Sequence, residues 1–160
     1  MSYANELSKF FREQTFMQLV TRGENLQPDT DVAIGGYVSA NGERVTVYID
    51  AGRSEEVLSN LNRNGKASLL LAHAGTRETA QANILYISSR RCAESDVITQ
   101  SDYIKRMKPY WRAYERPGAG EPLATVAVTF KPEQISGLSS RLYGAISASA
   151  ARKLAKTEVQ

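Results

Sequence analysis

Two side chains with metal-binding or nucleophilic chemistry, His73 and Cys92, occur once each and stand far apart in the chain. A zinc site needs three or four clustered ligands, so no metal site is expected. The sequence carries no Gly-x-Ser-x-Gly elbow, no P-loop and no Gly-x-Gly-x-x-Gly turn. No side chain is therefore assigned a catalytic role. His73 ends an apolar stretch; it is either a hydrogen-bonded or solvated strand-end imidazole or a neighbour of a redox cofactor.

Arg53 and Ser54 carry the clearest binding chemistry. They follow a strand pattern and open a helix pattern, where backbone N–H groups, a capping hydroxyl and a guanidinium could together hold a phosphate. An ordinary N-cap behind a solvated arginine accounts for the same pair, and Glu55 and Glu56 would repel an anion. Gln81 has two donors and an acceptor on its amide, suited to reading the edge of a planar ring; on an outward face it is simply a polar strand residue. Trp111, with Tyr110 and Tyr114, could stack on a flat cofactor or fill a core or subunit interface.

The elements that must position these residues follow from periodicity. Residues 5–13 read as a helix with Leu7, Phe10 and Phe11 on one face. Phe16 to Thr21 and Asp31 to Ser39 read as strands. Asn41-Gly42, suited to the positive φ angles of a two-residue type I′ turn, predicts a hairpin into Val45–Ile49. Ser54 predicts the cap of a short helix with Val57, Leu58 and Leu61 inside, ended by Asn64-Gly65. The apolar run Ala67–Ala72 predicts a strand buried on both faces, and Ala80–Ile87 another. Ser95 or Ser101 caps a second long helix that Pro109 kinks or restarts. Leu123–Phe130 is the last clear strand, and Ala145–Lys156 a candidate terminal helix. Short connections make the sheet mainly antiparallel, and six strands are best closed into a barrel, which removes exposed edges.

The 160 residues suit one domain, and the balance of 42% hydrophobic to 23% charged residues is globular. We divide the chain into an N-terminal helix 5–13, a barrel 16–130 and a tail 131–160. No apolar run is long enough for a bilayer-spanning helix, and the first residues lack a signal-peptide layout. A single cysteine fits a reducing cytoplasm. The net charge of +3 is partly gathered in the last segment, which reads as a solvated helix face rather than a nucleic-acid site.

In order, Val32-Ala-Ile-Gly-Gly-Tyr-Val38, Asn41-Gly-Glu-Arg-Val-Thr-Val-Tyr-Ile49, Asn60-Leu-Asn-Arg-Asn64, Gly65-Lys-Ala-Ser-Leu-Leu-Leu71, Thr76-Arg-Glu-Thr-Ala-Gln-Ala-Asn83 and Phe130-Lys-Pro132 resemble the pyridoxamine 5′-phosphate oxidase-like split barrels. The resemblance covers roughly residues 15–145 and lies in the order of the segments. It implies a six-stranded antiparallel split β-barrel with flanking helices, a homodimer, and FMN at the subunit interface, where the isoalloxazine ring oxidises or reduces a small molecule. It places Arg53 and Ser54 near the phosphate turn and Thr79 and Gln81 on the flavin-contacting strand. It also puts Ser68 on a strand lining the groove, Trp111 on a neighbouring helix and Arg141 as a positive charge from the partner chain. Glu55-Glu56-Val57 stands where the family often carries basic residues, and Gln81-Ala-Asn-Ile84 replaces a Gln-x-Lys-Gly motif. The alternative is a barrel that has lost flavin binding, or one that holds another planar ligand such as haem, with His73 as axial ligand.

Overall fold

The computed structural model describes residues 3–23, 27–50, 54–110 and 124–137. Along the chain run α1 (Tyr3–Arg12), β1 (Thr15–Arg22), β2 (Pro28–Val32), β3 (Gly36–Val38), β4 (Val45–Ile49) and α2 (Glu55–Asn64). They are followed by β5 (Lys66–His73), β6 (Thr79–Arg91), α3 (Glu94–Met107), a 3-10 turn Lys108–Tyr110 and β7 (Val126–Gly137). The strands form one antiparallel sheet in the order β2-β1-β5-β6-β7-β4-β3.

Seven strands stand where six are expected, and the difference closes the barrel. The predicted strand Asp31–Ser39 is two strands, β2 paired with β1 at one end of the sheet and β3 paired with β4 at the other. Three residues join them. Ala33 N–H donates to the Met17 carbonyl at 3.1 Å, on the β1 side; Ile34 N–H donates to the Tyr48 carbonyl at 2.8 Å, on the β4 side. Tyr48 N–H then donates to the Gly35 carbonyl at 3.1 Å. The chain thus leaves one sheet edge and joins the other within a few residues. Gly35 has φ +84°, and a Cβ there would lie 3.0 Å from Cβ of Tyr103. A Cβ on Gly36 would lie 2.2 Å from the Thr46 carbonyl oxygen. The Gly-Gly pair is required by position, one residue for its dihedral and the next for the closeness of the neighbouring strand.

The barrel interior holds one apolar cluster. Alternate residues of the strands enter it: Met17 and Leu19 of β1, Val45, Val47 and Ile49 of β4, Leu69 and Leu71 of β5, Ala82 and Ile84 of β6, Val128 and Phe130 of β7. Leu7, Phe10 and Phe11 of α1 and Val57 and Leu61 of α2 join the same cluster, so both short helices spend their apolar stripes on the barrel. The first and last asparagines of the Asn60–Asn64 motif hold α2 in place. Asn60 Nδ2 donates to Thr21 Oγ1 (3.0 Å) and Asp29 Oδ2 (2.7 Å), and Asn64 Nδ2 donates to the Arg22 carbonyl (2.9 Å). Gly65 ends α2 at φ 70° as a left-handed cap.

Some local expectations change. The β3–β4 hairpin forms, but Gly42 has φ 72° while Asn41 does not have positive φ, so the turn is not type I′. Gly42 N–H donates to the Ser39 carbonyl, and Ser39 N–H to the Arg44 carbonyl, giving a longer loop. Neither Ser95 nor Ser101 caps α3: Asp96, in its first turn, accepts from Ala93 N–H at 2.7 Å. β6 runs to Arg91 and β7 to Gly137, both beyond their predicted ends. The predicted helix Ala145–Lys156 lies outside the described residues.

Two bulges break the β6–β7 ladder. Asn83 opposes Gln134 and Ile84 opposes Pro132, leaving Glu133 unpaired; Tyr86 opposes Phe130 and Ser88 opposes Thr129, leaving Ile87 unpaired. One extra residue reverses the in-out alternation beyond it. Ala82 and Ile84 therefore point inward, whereas Arg90, opposite Ala127, reaches the outer surface.

Gly36→Ala should lower stability by roughly 2–3 kcal/mol, because backbone has to move. Gly65→Ala, strained in φ but with nothing within 4 Å of the new Cβ, should lose only about 1 kcal/mol. Urea unfolding of both variants checks the order; equal losses would contradict the close passage at Gly36.

Candidate functional site

Among the described residues, the outer surface of the barrel has a side sealed by α3 and an open side. On the sealed side, Phe16 of β1, Tyr48 of β4, Ala72 of β5 and Ala127 of β7 are covered by Tyr103, Ile104 and Met107 of α3. The Tyr103 hydroxyl donates to the Thr15 carbonyl at 2.5 Å, and burial raises its pKa above the ordinary phenol value. Gln100 is fully buried and accepts from Ala124 N–H at 3.2 Å.

Asp96 pins this helix to the sheet. Its side chain is only 3% exposed and accepts from Arg90 Nη1 (2.6 Å), Arg90 Nη2 (3.1 Å), the Tyr48 hydroxyl (2.8 Å) and Ala93 N–H (2.7 Å). Hydrogen bonding from Arg90 foremost holds the carboxyl down at about 2, from an ordinary 3.8. Arg90 is in turn pushed above its ordinary value by Asp96, and Tyr48 is raised, chiefly by burial and then by the carboxylate beside it. Arg90 Nη2 also donates to the Tyr37 hydroxyl at 3.2 Å, tying β3 into the network. Nearby Cys92 has its thiol pKa raised, mainly by burial, which keeps it protonated and poorly nucleophilic.

On the open side, a groove of about 660 Å³ runs across the outward residues of β1, β5 and β6. Its floor is Val20, Leu70 and Ser68, with Gln81 and Asn83 beside them. The ladder explains the grouping: Leu70 opposes Gln81, Ser68 opposes Asn83 and Val20 opposes Ser68. Ser68 Oγ donates to Asn83 Oδ1 at 3.3 Å. One end of the groove carries Arg22, Gly23, Asn64 and Lys66, and Glu133 of the first bulge comes in beside Asn83. The volume lies in the range of small-molecule sites, and a half-apolar floor with a few convergent amides is their usual make-up.

Ser68 and Gln81 line this groove, and Thr79, two residues before Gln81, shares their face of the sheet. Ser54 does not line it; it is fully buried at the start of α2, and its hydroxyl makes no side-chain cap bond and has no partner among the described residues. Arg53, Trp111 and Arg141 lie outside the described residues, as does Tyr114. The run Ala67–Ala72 is not buried on both faces, since Ser68 and Leu70 are partly exposed in the groove. Val20, Lys66 and Asn83 are groove residues that the sequence reading did not select. Strand alternation from Gln81 across to β5 would have found them.

His73 is a strand-end imidazole with both nitrogens engaged. Nδ1 accepts from Gly75 N–H (3.1 Å) and Thr76 N–H (2.9 Å), while Nε2 sits 2.9 Å from a carboxylate oxygen of Glu13. The accepting nitrogen fixes the tautomer, with the proton on Nε2. An axial metal ligand would have to give up one of these contacts.

No protein-family model matches the chain, and no curated protein matches it. Solved structures do. An FMN-binding protein from Syntrophomonas wolfei subsp. wolfei aligns at 11% identity over 85% of this chain and 86% of that one, with a TM-score of 0.56. A protein assigned as a pyridoxamine 5′-phosphate oxidase from Lactobacillus delbrueckii aligns at 12% identity over 84% and 93%, with a TM-score of 0.53. The haem storage protein of Vibrio cholerae aligns at 17% identity over 86% and 95%, with a TM-score of 0.51. Each likeness spans most of both chains and is therefore a likeness of the whole fold.

The depressed Asp96 carboxyl contributes about 2 kcal/mol that is present above pH 4 and lost as pH falls towards 2. Asp96→Asn should lose at least this much at pH 7, read by urea unfolding, and should flatten the stability decline between pH 4 and 2. An unchanged acid limb would show that the network is not what holds α3.

Proposed function

We propose that this chain, which has the split-barrel fold of the FMN-binding and pyridoxamine 5′-phosphate oxidase-like proteins, binds FMN in the open groove and acts as an oxidoreductase on a small molecule. The observation that carries the reading is the grouping of Ser68 and Gln81 with Leu70, Val20 and Asn83 on one exposed face of a barrel of this fold. The residues fit the cofactor. Val20 and Leu70 offer a flat apolar floor, and the Gln81 amide can both donate to and accept from a ring edge. Ser68 and Asn83 are polar groups that could meet a sugar-like chain. A bound flavin supplies the electron chemistry itself, so the absence of an assigned nucleophile does not count against the reading. What this chain contributes is binding, orientation and shielding.

The same face supports a homodimer. Val20 and Leu70 are half-buried apolar residues of this face, and a second copy would cover what they leave exposed by two-fold symmetry. A ligand in the groove would then lie between subunits. Among the described residues no helix is long and apolar enough to cross a membrane.

A second reading, haem in the same groove, draws on the likeness to the Vibrio cholerae protein. The engagement of both His73 nitrogens argues against that residue as the axial ligand.

The test is titration of the purified protein with FMN and separately with haemin. Quenching of flavin fluorescence at stoichiometric FMN supports the proposal, and Gln81→Leu should weaken it about tenfold. Failure to take up FMN would defeat it, and a Soret shift with haemin alone would favour the haem reading; His73→Ala should leave that shift unchanged. Sedimentation as a monomer with and without FMN would defeat the dimer.

A further inference from the structure

The groove is electrically lopsided. Among the described residues, its cations, Arg22 and Lys66, sit with Gly23 and Asn64 at one end; Glu133 lies beside Asn83 at the middle, and the other end, at Leu70 and Gln81, is neutral. The cause lies in the strands. Lys66 is the first residue of β5 and points to the same face as Ser68 and Leu70 by the period of two. Arg22 is the last residue of β1, and β1 runs antiparallel to β5, so the end of one lies beside the start of the other. Glu133 comes from the bulge that reverses β7. The two cations make that end positive, with the carboxylate set back towards the middle. Lys66 is exposed and makes no ion pair among the described residues.

At the start of α2 the Ser54 hydroxyl is buried out of reach, and Glu55 and Glu56 are exposed on the first turn.

Resting on the flavin reading above, we infer that Lys66, backed by Arg22, holds the terminal phosphate of the ligand, while Leu70 and Gln81 hold its ring. From Lys66 to Leu70 is four residues along a strand, about 13 Å, a separation that leaves room for a polyol spacer over Ser68 and Asn83. Glu133, at the middle of the groove, repels the phosphate from there and limits how tightly it is held. Lys66 is thus the residue that makes the groove discriminate between a phosphorylated ligand and its unphosphorylated counterpart.

Affinities for FMN and riboflavin, which share the ring, separate this inference from the reading beneath it. Fluorescence quenching with the whole chain should give FMN about tenfold tighter than riboflavin, a preference that shrinks with added salt. Lys66→Gln should erase most of that preference while leaving riboflavin affinity unchanged. Glu133→Gln should strengthen FMN about threefold and leave riboflavin alone. If the wild type binds neither flavin, the flavin reading itself fails. If the wild type prefers FMN and Lys66→Gln retains the preference, or weakens both flavins equally, the assignment to Lys66 is overturned and the flavin reading stands.

Discussion

The fold depends on the passage of the chain from β2 to β3. A sheet in the order β2-β1-β5-β6-β7-β4-β3 would be open if its first and last strands were unrelated in the chain. Here they are neighbours in sequence, separated by Ala33, Ile34 and Gly35, and the backbone of these residues bonds to both β1 and β4. The passage costs two glycines and a left-handed dihedral. In return the sheet encloses a single core that α1 and α2 complete from outside.

Closure also decides where function can reside. The interior is filled by side chains, so binding is left to the outside. α3 takes one side of that surface, fixed by a buried carboxylate bonded to an arginine, a tyrosine and its own helix start. Such a buried charge is tolerable because each oxygen is satisfied. The rest of the surface keeps the partly exposed β1–β5–β6 face, where residues two apart on neighbouring strands meet. The rigid side thus supports the side that is free to bind.

Much of this was legible in the residues. Val45, Val47 and Ile49 alternate as a strand should, and Asn64-Gly65 ends its helix as expected. Antiparallel order and barrel closure followed from short connections. What escaped depends on long-range partners. Nothing local to Asp31–Ser39 reveals that its halves pair with strands at opposite ends of the sheet. Ser95 and Ser101 look like better caps than Ala93, yet Asp96 wins because Arg90 and Tyr48 arrive from β6 and β4. In the groove, Gln81 stood out by its chemistry, while Lys66, outside the apolar run Ala67–Ala72, carried no binding role until its pairing opposite Leu85 set its face of the strand.

The unpaired Ile87 has an implication for how this sequence can change length. Because it shifts the phase of β6, the strand is written in two frames: even-numbered residues face the core before it and the surface after it. Shortening the chain by that one position would turn the Arg90 guanidinium to the opposite face of β6 and strand the Asp96 carboxylate. Insertions and deletions in this stretch should thus be tolerated only in twos or at the loops, a grammar that substitutions need not obey.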